Sequence, residues 1–184
     1  MLHRHARPAV AGAFLFGSLC GALLTSTTLI VASGLLSPVP LAWRAGLLLS
    51  SLVLLALHQA RILCLDLPQR AWQIPPEVFR DDPRRAAFRF AMQLGSGVRT
   101  YITTAAPYAA ALAILLVPPA GLGSALLAAL LLAVGYGTGR AVIVVAQLGP
   151  QRIAVEHPTV WLEIGAWLSI GAAALIAVRA LGAA

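Results

Sequence analysis

Two ionisable residues stand within apolar stretches of this chain, and they are the first candidates for chemistry. Arg140 precedes a mostly apolar run in GYGTGRAVIVVAQLG, and Glu163 lies inside VWLEIGAWLSI. A charge in hydrocarbon is costly unless it is paired or hydrated, so such residues mark sites by default. Three interpretations are open: a structural ion pair between the two, a proton, ion or substrate site, and snorkelling of each side chain to the membrane surface.

A second polar group follows the glycine-rich segment at 95–97. Hydroxyl and basic side chains gather around Pro107, and they are Ser96, Arg99, Thr100, Tyr101, Thr103, Thr104 and Tyr108. A proline inside a span frees a backbone carbonyl, which neighbouring hydroxyls can satisfy. The pattern fits either a polar, broken helix that lines a pathway or a kinked helix whose hydroxyls bond the backbone and neighbouring helices.

The elements that must position these residues are apolar helices. Hydrophobic residues fill 60% of the 184 positions and charged residues only 10%, whereas soluble domains carry roughly 25% charged residues. Five stretches reach the roughly 20 residues that a helix needs to cross a bilayer: 8–36, 41–63, 98–117, 122–148 and 159–180. The sequence predicts an all-α, polytopic transmembrane helical bundle that forms one integral membrane domain over residues 1–184.

The distribution of arginine orients this bundle. Eleven of the thirteen basic residues, all arginine, fall on one side if the five stretches are spans. The exceptions are Arg44 and Arg179. The positive-inside rule then places the N-terminus and the linker 64–97 in the cytoplasm and the C-terminus outside. Because this rule explains the net charge of +7, nucleic acid is not an expected partner.

The cytoplasmic linker contains one predicted amphipathic helix. Asp82 can cap it and Pro83 suits its first position. Apolar residues recur at helical spacing on one face, and arginines stand elsewhere on the helix. Lipid or partner binding is expected at Arg84, Arg85 and Arg89. The helix fits either a position on the inner leaflet, with arginines near anionic headgroups, or docking onto its own bundle.

Small residues predict close helix packing at two places. Gly17 and Gly21 form a GxxxG pattern in the first span, and Gly135 and Gly139 form another in the fourth. Such patterns let helix backbones approach each other. Packing within the bundle and a dimer seam are both compatible with them.

The cysteines do not suggest a disulfide. At 1.5 Å per residue, Cys20 lies roughly 18 Å along the first span, while Cys64 follows the second span at its cytoplasmic end. A disulfide needs Cα atoms within about 7 Å. No spacing of histidine and cysteine enforces a metal site, and no phosphate loop, nucleophile elbow or dinucleotide fingerprint is present. We therefore expect no metal, no cofactor and no catalytic residue.

Two stretches between Trp72 and Val142 carry a resemblance. WQIPPEVF, a basic segment and LGSGVRTYITTAAPY are followed by GYGTGRA. This arrangement resembles small bacterial multi-pass membrane proteins grouped with methylamine-utilisation membrane proteins and with thiol-electron carriers of cytochrome-c maturation. The resemblance implies a helical bundle in the bacterial cytoplasmic (inner) membrane and redox traffic across it. The matching positions are Gly95, Gly97, Gly135, Gly139 and Arg140; the carriers' redox cysteines have no counterpart in Cys20 and Cys64.

These features favour three functions in order. The first is a non-catalytic partner subunit or assembly factor of a membrane complex, because catalytic motifs are missing and the long basic linker suits docking. The second is a transporter or channel component with a site at Arg140 and Glu163. The third is a transmembrane thiol-redox carrier. The expected partners are the lipid bilayer and a protein in the membrane, and the oligomeric state stays open.

Overall fold

The computed structural model describes residues 7–65, 67, 82–97, 104–119, 121–148 and 158–182, without the side chains of residues 7, 140, 142–148 and 158–161. Within these ranges all regular structure is helical. The helices are α1 (Arg7–Leu35), α2 (Leu41–Gln59), α3 (Pro83–Gly95), α4 (Ala106–Leu116), α5 (Leu122–Leu148) and α6 (Pro158–Gly182).

Four of these helices are long and apolar enough to cross a membrane. Among the described residues the qualifying segments are Pro8–Leu35, Leu41–Gln59, Leu122–Gly139 and Leu162–Gly182. Large apolar side chains such as Phe16, Leu24 and Val31 are more than half exposed, which fits a surface that faces lipid. The prediction of an all-helical chain with several membrane-length helices is confirmed.

The third predicted span, 98–117, differs from the helix found there. α4 has 11 residues and begins at Ala106, so it extends about 16 Å. Thr104 and Ala105 form a bend before it, and residues 98–103 lie outside the described residues. Pro107 stands in the first turn of α4, where its missing N–H costs no helical hydrogen bond. This proline starts a helix; the expectation that it kinks a helix interior was wrong.

The second predicted span also ends earlier than expected, at Gln59 in place of Leu63. The N–H of Arg61 donates to the carbonyl of His58, and the N–H of Ile62 donates to that of Leu57, both at 3.0 Å. Arg61 has a φ of 60°. A left-handed residue with these two bonds is a Schellman motif, which ends a helix and satisfies its last carbonyls.

Backbone contacts divide the chain into two compact units. The first combines Met1–Thr25, Gln69–Tyr101 and Ala129–Val155. Its core is Phe14, Ala87, Ala91 and Ala141, contributed by α1, α3 and α5. The rings of Phe14 and Phe90 meet edge to face with centroids 5.8 Å apart.

Glycines of α1 allow α3 to pack directly on its backbone. A Cβ at Gly17 would overlap the carbonyl oxygen of Phe88, and a Cβ at Gly21 would overlap that of Met92. Conversely, a Cβ at Gly95 of α3 would overlap the Ser18 carbonyl. The GxxxG pattern of the first span is therefore a packing site within the chain, and α3 is docked onto α1.

The contact of α5 with α1 is centred on a different glycine from the predicted pair. The hydroxyl of Ser18 donates to the Gly137 carbonyl at 2.9 Å, and a Cβ at Gly137 would lie 3.1 Å from the Leu19 Cα. No atom of the described residues lies within 4 Å of a Cβ built at Gly135 or Gly139. Gly135 and Gly139 stand on a different face of α5 from Gly137, and their packing, within the bundle or at a dimer seam, stays a prediction.

The second unit combines Ser26–Pro68, Ile102–Ala128 and Glu156–Ala184. Its core joins three helices: leucines of α2, alanines of α4 and small or branched residues of α6. The buried members are Leu48, Leu52, Leu55, Ala105, Ala109, Ala113, Ile170, Ala173 and Ala177. The side-chain oxygen of Gln59 accepts the N–H of Ala105 at 3.1 Å. Since this bond joins the end of α2 to the start of α4, the two helices run antiparallel.

Candidate functional site

The second unit contains one buried charge among the residues that the structure describes. Arg44 lies in the first turns of α2 and is only 4% exposed. Its Nη2 atom donates to the Ser33 hydroxyl at 2.9 Å, to the Ser33 carbonyl at 3.3 Å and to the Leu115 carbonyl at 3.2 Å. Ser33 is itself completely buried.

The acceptors of Arg44 are the ends of two helices. Ser33 is in the last turn of α1 and Leu115 is in the last turn of α4. The last four carbonyls of a helix have no partner within it, and their dipoles favour a positive charge. A guanidinium has donors only, so Arg44 is suited to hold these carbonyls and is unsuited to relay protons. Its Nε is buried and has no hydrogen-bond partner among the residues that the structure describes.

The sequence assigned no role to Arg44, which was counted only as one of the two arginines on the outer side of the membrane. A signal was available in SPVPLAWRAG. The prolines fix the start of α2, which puts the arginine one turn inside the apolar helix rather than in the preceding turn. A charge at that depth needs partners.

Glu163 has a basic neighbour at the end of α2. Its Oε1 lies 3.7 Å from Nη2 of Arg61, and the two side chains are 51% and 87% exposed, respectively. The side chain of Arg140 lies outside the described residues, although its backbone belongs to α5. The pairing of Arg140 with Glu163 therefore stays a prediction.

The polar group around Pro107 is described in part. Arg99, Thr100 and Thr103 lie outside the described residues. Thr104 is half-buried in the bend before α4. Tyr108 is half-buried against the core of α2, α4 and α6, so it contributes to packing between helices.

The basic face of α3 is exposed, as Arg84, Arg85 and Arg89 all lie at the surface. The carboxylate of Asp82 accepts the backbone N–H groups of Arg84 and Arg85 at 3.0 and 3.2 Å. Asp82 is therefore the N-cap that the sequence predicts.

Both cysteines carry free thiols. Cys64 is exposed and Cys20 is half-buried. The thiol-redox alternative stays a prediction.

An open groove runs along the outer face of α2. It measures about 390 Å³ and is lined by Ala42, Trp43, Gly46, Leu47 and Ser50. Nothing in the described part of the chain lies within 4 Å of a Cβ built at Gly46, and Trp43 is 72% exposed. The Ser50 hydroxyl donates to the Gly46 carbonyl at 3.0 Å, so the groove is left apolar.

Comparison of the chain with models of protein families, with curated proteins and with solved structures finds no match. The resemblance carried by Trp72–Val142 therefore stays a prediction.

Proposed function

We propose that this chain is a multi-pass protein of the bacterial cytoplasmic membrane that serves as a non-catalytic partner subunit or assembly factor of a membrane complex. The supporting observation is the open groove of α2, which in this proposal receives a transmembrane helix of a partner protein. In this proposal the chain crosses the membrane five times, with its N-terminus in the cytoplasm, as the arginine distribution favours.

Spacing and size make the groove suitable for a helix. Ala42, Gly46 and Ser50 recur every four residues, so they form one line on the surface of α2. Small residues in such a line allow a second backbone to approach closely, which is the main source of helix association in lipid. Trp43 and Leu47 form a wall beside this line.

A similar line of small residues on α1 is already covered by another helix. On α1, the line at Gly17 and Gly21 is occupied by the backbone of α3. On α2, the buried side is already filled, since Leu48, Leu52 and Leu55 face the core. The line at Gly46 is not covered by any of the described residues. We therefore assign the groove to a helix from another protein.

Filling the groove tests this proposal. In Gly46→Leu a branched side chain occupies the space that the partner helix needs. Gly171→Leu is the matched control, because Gly171 is exposed on α6 with no described atom near its Cβ. Tagged protein is purified in mild detergent and its companions are quantified by mass spectrometry.

We expect a stoichiometric membrane-protein companion with wild type and with Gly171→Leu, and its loss with Gly46→Leu at unchanged melting temperature. A wild-type chain that purifies alone contradicts the proposal, and so does a companion that Gly46→Leu retains.

A transporter or channel component with a site at Arg140 and Glu163 is the second candidate. The observation that favours it is the Glu163 carboxylate, which is half exposed at the start of a membrane-length helix and so is accessible to an ion. Proton uptake by reconstituted vesicles with an internal pH dye tests it. Glu163→Gln abolishes uptake if the carboxylate carries the proton; equal uptake by this variant and wild type excludes the site.

A further inference from the structure

α3 runs beside the first half of α1 in the same direction. Proceeding along α1, the backbone at Gly17 meets Phe88 and the backbone at Gly21 meets Met92. Further on, the Thr25 hydroxyl donates to the Ser96 carbonyl at 2.9 Å. These contacts advance in the same direction on both helices, while Gly95 also packs on Ser18. The two axes therefore run in the same general direction and cross at an inclined angle.

The length of α1 fixes the depth of these contacts. α1 has 29 residues, whereas about 20 helical residues cross the hydrocarbon. Wherever a window of that length is placed within α1, it contains residues 16–26. Gly17, Gly21 and Thr25 are therefore within the hydrocarbon if α1 spans the membrane. The part of α3 from Phe88 to Ser96, which lies beside them, is at the same depth.

Carbonyl groups at the end of α3 accept hydrogen bonds from protein donors and so do not depend on water. The Ser96 N–H donates to the Met92 carbonyl at 3.0 Å, and the Gly97 N–H donates to that of Leu94 at 3.3 Å. The Ser96 hydroxyl donates to the Gln93 carbonyl at 2.8 Å. Protein donors thus serve the carbonyls of Met92, Gln93 and Leu94 near the end of α3, and Thr25 serves the Ser96 carbonyl just after it. Backbone in lipid needs such partners.

The charges of α3 are at the opposite end. Arg84, Arg85 and Arg89 are exposed. Arg84 and Arg85 lie before the stretch beside Gly17 and Gly21, and Arg89 lies at its start. Side chains of a helix point toward its N-terminus, which for α3 is the direction in which α1 begins. The guanidinium groups therefore extend toward the membrane surface, where lipid phosphates accept their hydrogen bonds.

We infer that α3 is a half-inserted helix. It enters the bilayer from the leaflet in which α1 begins, binds phospholipid phosphates through Arg84, Arg85 and Arg89, and ends at Ser96–Gly97 within the hydrocarbon. This goes beyond the proposed function and needs only that α1 spans the membrane. The sequence left this helix either on the inner leaflet or docked onto its own bundle; in this inference it does both.

Spin-label depth measurements test this inference. Cys20 and Cys64 are replaced by alanine, and single cysteines are introduced by Arg85→Cys, Arg89→Cys, Met92→Cys and Ser96→Cys. Each labelled protein is reconstituted in vesicles of phosphatidylcholine and phosphatidylglycerol. Collision with oxygen relative to a water-soluble nickel chelate reports depth. Phe16→Cys, Leu24→Cys and Val31→Cys, at exposed positions of α1, provide the matched scale.

We expect depth to increase steadily from position 85 to position 96, with position 96 at the depth of position 24. A helix that lies flat on the membrane gives depths that oscillate about a constant value, and this result overturns the inference alone. If none of the labels at positions 16, 24 and 31 of α1 reaches the depth of the hydrocarbon, α1 does not span the membrane and the spanning assignment is overturned as well. The two failures are therefore distinguishable. If Ser96→Cys does not fold, the increase in label depth from position 85 to positions 89 and 92 tests the inference.

The lipid contact has its own measurement. Purified wild type is expected to retain more phosphatidylglycerol, by mass spectrometry, than the variant with glutamine at Arg84, Arg85 and Arg89. Arg179→Gln, an exposed arginine on α6, is the control. Equal retention by all three proteins overturns the phosphate contact.

Discussion

The Nη2 atom of Arg44 donates to the Ser33 hydroxyl at 2.9 Å, and both side chains are almost completely buried. The two residues stand on either side of the turn that joins α1 to α2. The same nitrogen also donates to the Leu115 carbonyl of α4. One guanidinium therefore connects three helices of the second unit, which makes it the polar centre of that unit.

Removal of this guanidinium should destabilise the protein. Arg44→Met keeps an apolar stem but leaves the carbonyl of Leu115 without this donor. Hydrogen bonds between membrane helices contribute about 1–2 kcal/mol or less, and bonds to charged groups about 1.5–3 kcal/mol. We expect a loss of about 2–4 kcal/mol, measured as the shift of the unfolding transition in a titration with denaturing detergent.

Two variants check the cause of that loss. Arg44→Lys keeps the charge but lacks the planar fork, so it should recover only part of the stability. Arg179→Gln removes an exposed arginine and should leave the transition unchanged. Wild-type stability of Arg44→Met would show that the three bonds are dispensable.

Alanine at Gly17 or Gly21 should separate α3 from α1. Each new methyl overlaps a backbone carbonyl of α3, and overpacking of this kind costs about 1–3 kcal/mol. Gly12→Ala is the control on the same helix, since its Cβ meets no described atom; there the better helix propensity of alanine adds up to about 1 kcal/mol. The melting temperature in detergent is expected to fall for Gly17→Ala and Gly21→Ala and to rise for Gly12→Ala. Equal shifts in all three variants would contradict the packing of α3 on α1.

Leucine at Gly137 should disturb the contact of α5 with α1. Its side chain meets the Leu19 backbone, and the donor at Ser18 is displaced. Gly135→Leu and Gly139→Leu meet no described atom at their Cβ positions. The melting temperature should therefore fall for Gly137→Leu and change little for the other two variants; the reverse order would restore the GxxxG interpretation of α5.

The ion pair of Glu163 should contribute little to stability. Both of its side chains are at least half exposed, and exposed pairs are worth about 0.2–1 kcal/mol. Glu163→Gln is expected to cost less than about 1 kcal/mol in a denaturing-detergent titration, and Arg61→Gln should cost the same. A loss of about 3–5 kcal/mol, typical of a broken buried pair, would indicate that Glu163 pairs with Arg140 instead.

Local features of the fold could be predicted from the sequence. The apolar stretches that form α1 and α5 begin within one residue of their predicted starts, because proline and glycine residues mark the boundaries of hydrophobic stretches in the sequence. The N-cap at Asp82 followed from its own side chain and from Pro83 beside it. These signals depend on neighbours in sequence.

Features that depend on distant residues could not be predicted. Nothing near Arg44 indicates that Leu115, 71 positions away, supplies its third acceptor. The sequence left α3 either on the inner leaflet or docked onto its own bundle, and only the contact of Ala87 and Ala91 with Phe14 of α1 decides for docking. Gly137 and Gly135 look equivalent in the sequence, and only the rotation of α5 about its axis decides which of them meets Ser18.

The separation of Arg44 from Leu115 also bears on biosynthesis. A ribosome adds about 5–20 residues each second, so about 4 to 14 s pass between the synthesis of the arginine and that of the carbonyl in α4. During that interval the newly made helical hairpin carries a cation whose final acceptors are incomplete. Release of α2 from the insertion machinery into lipid should therefore wait for α4, and nascent chains stalled before Leu115 should remain crosslinked to that machinery through α2.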